Sequence, residues 1–387
     1  MNFLHRVVLL FLLFLAAGVQ PVSAMEAEEN TGEYSDGLLS EILGEMDFKE
    51  VDDFSVQELP ERMTFSSLVT ALADEGDEGS YFGMIGEYLL DLFFYEIEAA
   101  RPMFFQLLSV SVLFSLFGKM LVTKQSYVNN LGFFAVYAAV MLLLMNSFLL
   151  VNEVVEAGIE KMISFMTAFI PTYAATLLLS ANPSSAGMFY ELAFVLIYLL
   201  ELAMKALFIP GVHVFVLLVM MDNLFEEAKL TKLADMIESA IKAAMKLSLA
   251  AVVGLGVVQS LLAPAKDRLS ANSVFKTLQA VPGVGNTFGA TGELLLGCGI
   301  LIKNSVGTAA LVILVVLSAA PIISVACFCL LYRLVGALLQ PFCDKRIGEC
   351  VHGVGRGCEL YLKIVVDAML LLFITISMIS AFTSFMH

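Results

Sequence analysis

Beyond residue 100 the chain reads as long apolar runs broken by short polar stretches, whereas before it apolar positions recur at helical spacing on a polar background. Met103–Val122 and Leu131–Val151 are continuous runs. The 21 residues of the second reach about 31 Å as a helix, enough for a ~30 Å hydrocarbon core. Further runs lie at Met162–Ser180, interrupted by Pro171, at Met188–Phe208, which carries three charges, and at Ile209–Met221, which opens on Pro210-Gly211. Leu247–Ala263, Val306–Tyr332 and Ile364–Met386 complete the series. The pattern predicts an all-α membrane helix bundle of about seven or eight crossings.

The first 24 residues have the layout of a cleavable signal: a basic start at Met1–Arg6, a 12-residue apolar core at Val7–Gly18, and small residues at Val22-Ser23-Ala24. They send Met25 onward across the membrane. Residues 25–100 then form an extracytoplasmic segment, and residues 101–387 the multi-spanning domain. In the exported segment Leu38, Leu39, Ile42, Leu43 and Met46 make one helical stripe, and Phe65, Leu68, Val69 and Leu72 a second. Tyr81–Ala100 is a third amphipathic stretch. Such stripes suit a small helical element that docks a partner in the same compartment.

Charge sharpens this division. Between Met25 and Glu98 there are 21 acidic residues against Lys49 and Arg62, so the formal net charge of −16 belongs to that segment. A 59% hydrophobic and 15% charged chain lies far from the soluble average of about 45–50% and 25%. The lipid bilayer is therefore an expected partner, and nucleic acid is not. Basic residues orient the bundle by the positive-inside rule. Lys119 and Lys124, then Lys229, Lys232, Lys242 and Lys246, then Arg333, Lys345, Arg346, Arg356 and Lys363 are expected in cytoplasmic loops, and Asn152–Lys161 in an outer loop. Lys266, Arg268 and Lys276 fit this count poorly.

No catalytic signature emerges. The four histidines are scattered, the six cysteines lack the short paired spacing of a zinc site, and none lies in the exported segment. Gly353-Val354-Gly355-Arg356-Gly357 is not preceded by the strand that a phosphate loop needs. The expectation is a protein that is not an enzyme, with no cofactor and no metal.

The candidate functional residues are ionisable groups and helix breakers inside apolar runs. Glu201 and Lys205 stand at i,i+4, where they share a helix face and can neutralise each other. Glu191 lies ten residues earlier and points elsewhere, and Glu293 and Lys303 form a similar set. Unpaired, such groups cost about 2.5–3.5 kcal/mol each at mid-bilayer depth. Pro171 marks one expected break. Pro282, Gly283, Gly285 and Asn286, with the glycines to Gly299, mark another, where a non-helical or re-entrant segment is expected. Asp222–Lys246 reads as an amphipathic helix at the cytoplasmic side.

Phe169-Ile170-Pro171-Thr172-Tyr173, Ser180–Glu191, Val253–Pro264, Val281–Asn286 and Ile302-Lys303-Asn304 together resemble the stage III sporulation protein AE family of endospore-forming Firmicutes. The resemblance runs through roughly residues 150–345 and extends to the signal-plus-acidic-segment layout. It implies a membrane subunit of the mother-cell channel or secretion complex that meets a forespore partner across the double membrane. Implied partners are the other subunits of the stage III sporulation A complex, including ring-forming bitopic proteins and a cytoplasmic secretion-type ATPase. No catalytic residue is carried by the resemblance. The alternative reading is a stand-alone secondary transporter that uses Glu191, Glu201, Lys205 and Glu293.

Overall fold

A computed structural model describes residues 43–44, 46–58, 64–73, 78–120, 126–179, 183–224, 230–279, 285–341 and 345–384. Among them the chain is helical and no strand occurs. Two short helices, α1 (Lys49–Glu58) and α2 (Phe65–Ala73), precede the rods α3 (Glu78–Met120) and α4 (Ser126–Leu179). Next come α5 (Pro183–Ala203) and α6 (Ile209–Asp222), joined by a π turn at Met204–Phe208. The rods α7 (Thr231–Gln279), α8 (Gly285–Leu339) and α9 (Lys345–Ser384) complete the chain. The signal, the stripe from Leu38 to Ile42, and the connections at Ser180–Asn182 and Val281–Val284 lie outside the described residues.

The rods run up and down against one another. Tyr137, near the start of α4, donates its hydroxyl to the carbonyl of Met220 near the end of α6. Higher up, Tyr361 of α9 donates to Asn152 of α4 (2.6 Å), and Tyr332 of α8 is hydrogen-bonded to Ser147 of α4. The rod α8 is central, packed on α9, α4, α3 and α2. Its stretch Val306–Leu317 is almost wholly buried.

Small residues set the closest approaches. A Cβ on Gly353 of α9 would lie 2.0 Å from Val219 of α6, and one on Gly357 would lie 2.3 Å from Val216. Gly158 of α4 faces Pro321 of α8, with 2.6 Å from a built Cβ to the proline ring. Glycines four apart let helix backbones approach closely. The glycine run in α9 is thus a packing face, and Lys345–Ser384 is helical from its first residue instead of the expected basic loop.

Three other expectations change. The crossings at Leu131–Val151 and Met162–Ser180 lie on one unbroken helix of 54 residues, about 80 Å long, so Asn152–Lys161 is helix and not an outer loop. Pro171 does not break α4: it faces outward near the end, where it forfeits one backbone hydrogen bond while the helix continues to Leu179. Met188–Phe208 and Ile209–Met221 form one rod, because Pro210 is accommodated by the π turn, in which the N–H of Ile209 reaches back to the carbonyl of Met204. Four described stretches are long and apolar enough to span a membrane: Tyr137–Leu178, Ala193–Asp222, Leu301–Leu339 and Lys345–Ser377.

The acidic segment is attached to the bundle. Asp47 accepts from the N–H of Lys49 at the start of α1 (3.1 Å), and Asp52 accepts from the N–H of Ser66 at the start of α2 (2.8 Å). Thr64 and Ser67 exchange N–H to hydroxyl bonds as a capping pair. Phe54 of α1 meets Phe165 of α4, and Phe65 of α2 meets Phe169, with ring centroids 5.8 and 6.1 Å apart. The stripe of Phe65, Leu68 and Val69 therefore faces the chain's own rods, not a partner.

Candidate functional site: a charged belt across the rods

Charged side chains on several rods form a belt a few turns deep. On α9, Arg356 donates to Asp235 (2.8 Å) and to Glu238, both on α7, and its guanidinium lies 5.2 Å from the Phe215 ring of α6. Lys242 completes the cluster by pairing with Glu238 one turn away. Burial pushes the Glu238 carboxyl up, but hydrogen bonds from Lys242 and Arg356 outweigh it and hold it below the ordinary value. One turn further along α9, Glu359 accepts two bonds from Arg333 of α8.

The belt continues around the other rods. Glu96 of α3 acts on Cys327 of α8, two turns from Arg333. Tyr361 ties the same level to Asn152 on α4, one turn below Glu156. Glu156 and Glu160 in turn lie within electrostatic reach of Lys205 on the π turn. Lys205 pairs with Glu201 at 2.5 Å, and the side chains are 71% and 44% exposed. Every long rod thus contributes charge to this belt, partly locked between helices (Arg356, Glu238, Arg333, Glu359) and partly open at the surface (Glu156, Glu160, Glu201, Lys205).

The expected residues divide accordingly. Glu201 and Lys205 are brought together. Glu191 is exposed higher on α5, away from them. Lys303 is wholly buried on α8. Glu293, Gly285 and Asn286 lie on the backbone of α8, which is helical from Gly285 through the glycines to Gly299, so that part of the expected broken segment is regular helix. Pro282 and Gly283, and the side chain of Glu293, lie outside the described residues. No group of three or more metal-ligating side chains occurs among the described residues.

Several polar groups carry no signal of their own in the sequence. Asp222, buried at the end of α6, accepts from the N–H of Leu230 (2.7 Å) and the hydroxyl of Thr231, anchoring the start of α7. Asp367 is buried on α9, where Ser248 of α7 donates to it at 3.3 Å. Asn152 and Arg356 sit on helices and not in the expected loops. The available signal is the i,i+3,i+7 spacing of Arg356, Glu359 and Lys363, which fits one helix face.

Fold and belt define an all-α, multi-spanning membrane protein whose charged groups bind helix to helix and leave one charged face open. A family model described as stage III sporulation protein AE matches residues 63–383. The chain belongs to that family, and the family supports a role in sporulation. It is 25% identical over 257 residues to stage III sporulation protein AE of Bacillus subtilis (strain 168), a match covering 66% of this chain and 64%, under two thirds, of that protein. No solved structure matches.

Proposed function

We propose that the chain is an integral subunit of the transenvelope channel or secretion complex that links mother cell and forespore, required for endospore formation and late forespore gene expression. On this reading it sits in the mother-cell-derived outer forespore membrane, with its acidic N-terminal segment in the intermembrane space. Its partners are the other subunits of the stage III sporulation A complex, including ring-forming bitopic proteins and the cytoplasmic secretion-type ATPase.

The observation that carries the reading is the open Glu201–Lys205 pair, set among the exposed apolar side chains Tyr198, Leu199 and Leu202. Facing lipid, the pair would sit in hydrocarbon with only each other as polar partners, which the membrane interior disfavours. Facing water, the apolar neighbours form an exposed patch of the kind that marks an interface. A partner helix that offers polar groups to the pair and apolar surface to its neighbours satisfies both. The family supplies the process, and the open face supplies the reason for an assembly.

The test replaces both charges, Glu201→Leu with Lys205→Leu. A lipid-facing surface would tolerate the change, with membrane abundance and spore yield intact, and that result contradicts the proposal. The expected result is normal membrane abundance, spore yield reduced at least a hundredfold, and loss of co-purifying subunits. Solute uptake by vesicles holding the purified chain alone would favour the transporter reading, which uses Glu191, Glu201, Lys205 and Glu293.

A further inference from the structure

The outer half of α3 carries an open face that the fold leaves uncovered. Ile85 is buried and Leu89, Leu92 and Glu96 are half-buried toward the bundle. On the other side Leu90, Phe94 and Ile97 form one line at i, i+4 and i+7, with Leu90 62% and Phe94 66% exposed. Phe93 adjoins this line, its ring 5.9 Å from that of Phe94. Beside it runs a second line of exposed carboxylates, Glu87, Asp91 and Glu98, none of which makes an ion pair among the described residues.

This face is not built for lipid. Four carboxylates between Glu87 and Glu98 exclude burial in hydrocarbon. The anionic surface of a membrane would repel the acidic line, so a lipid surface is a poor occupant.

Charge decides among protein occupants too. The chain's own segment from Met25 to Ile42 carries six carboxylates and no Lys or Arg, and a second copy would present the same acidic line. Resting on the subunit reading above, we infer that this face docks a basic amphipathic helix of an extracytoplasmic partner. Its apolar stripe packs on Leu90, Phe94 and Ile97, and flanking Lys or Arg residues meet Glu87, Asp91 and Glu98, as flanking charges select partners in paired helices.

The experiment places a photo-crosslinking benzoylphenylalanine at Tyr95, which is 69% exposed and flanks the acidic line, in the full chain of sporulating cells. The expected adduct joins a peptide that is net basic and amphipathic. It should fall at least tenfold in the triple variant Glu87→Lys, Asp91→Lys, Glu98→Lys at unchanged membrane abundance, and return when the matching bases of the partner are changed to Glu. An adduct to lipid, to a second copy or to an acidic protein overturns the inference. So does no adduct at Tyr95 and at Leu90, or an adduct indifferent to charge reversal. If the triple variant is lost from the membrane, Glu98→Gln with Asp91→Asn carries the same comparison. Subunits that still co-purify with an unlabelled α3 face would sink this inference and leave the subunit reading standing.

Discussion

Arg356 holds three helices at once, with two carboxylates on α7 and the face of Phe215 on α6. Its side chain is about one-third exposed, whereas that of Glu238 is nearly covered, so removing the cation strands a carboxylate that retains Lys242 as its cationic partner. Arg356→Met should therefore cost about 2 kcal/mol, the scale of a charged hydrogen bond, read as a lower unfolding temperature in detergent. Glu238→Gln in the same chain should recover part of the loss, because the stranded charge is then gone. The pH dependence follows from the depressed Glu238 carboxyl. Its contribution is fully present above its ordinary pKa of 4.5 and is lost as pH falls through its lower folded value. The destabilisation by Arg356→Met should accordingly shrink in acid below about pH 4, and a loss that stays constant there would contradict the pairing. The Glu201–Lys205 pair is legible from sequence because i,i+4 contacts need only one helix. The Arg356 cluster joins residues more than a hundred positions apart, and no single-helix pattern encodes that.

The elements are held by close glycine contacts, and these predict sharp responses. Gly357→Leu would drive its side chain into Val216 and Phe148, so it should destabilise by about 1–3 kcal/mol, the usual range for overpacking, or prevent accumulation. Val216→Ala should restore part of what Gly357→Ala loses, measured by thermal unfolding. Equal losses with and without Val216→Ala would place the strain elsewhere. Helix content and the apolar runs can be read along the chain, since burial in lipid demands helices and long apolar stretches. Their joins cannot. Glu153, Glu156, Glu160 and Lys161 look like a loop when hydropathy is averaged, but a helix carries them at no break in its backbone. The same averaging makes loops of Lys345–Lys363. Pro171 and Pro210 weigh more as breakers in the sequence than a helix near its end, or one with a π turn, concedes to them.

At the scale of the molecule, the short helices α1 and α2 dock near the far half of α4, and the α6–α7 and α8–α9 connections share the opposite end with Lys232, Lys345 and Arg346. By the positive-inside rule that end is expected to be cytoplasmic. In a chain freed of its native cysteines, Val56→Cys should react with an impermeant thiol reagent from outside and Lys232→Cys should not; the reverse pattern would invert the molecule. The rods exceed a ~30 Å hydrocarbon core more than twofold in α4 and α8, so much of their length stands beside protein or water instead of lipid. Open apolar and charged faces on α3 and α5 then call for neighbours, and assembly is the central claim. Its most direct test is the mass of the full chain purified through an affinity tag from sporulating cells in mild detergent, measured by native mass spectrometry with identification of the bound chains. The account predicts a large hetero-oligomer of sporulation membrane proteins that the Glu201→Leu, Lys205→Leu variant fails to form. A lone single chain, recovered in quantity from cells that sporulate normally, would contradict it.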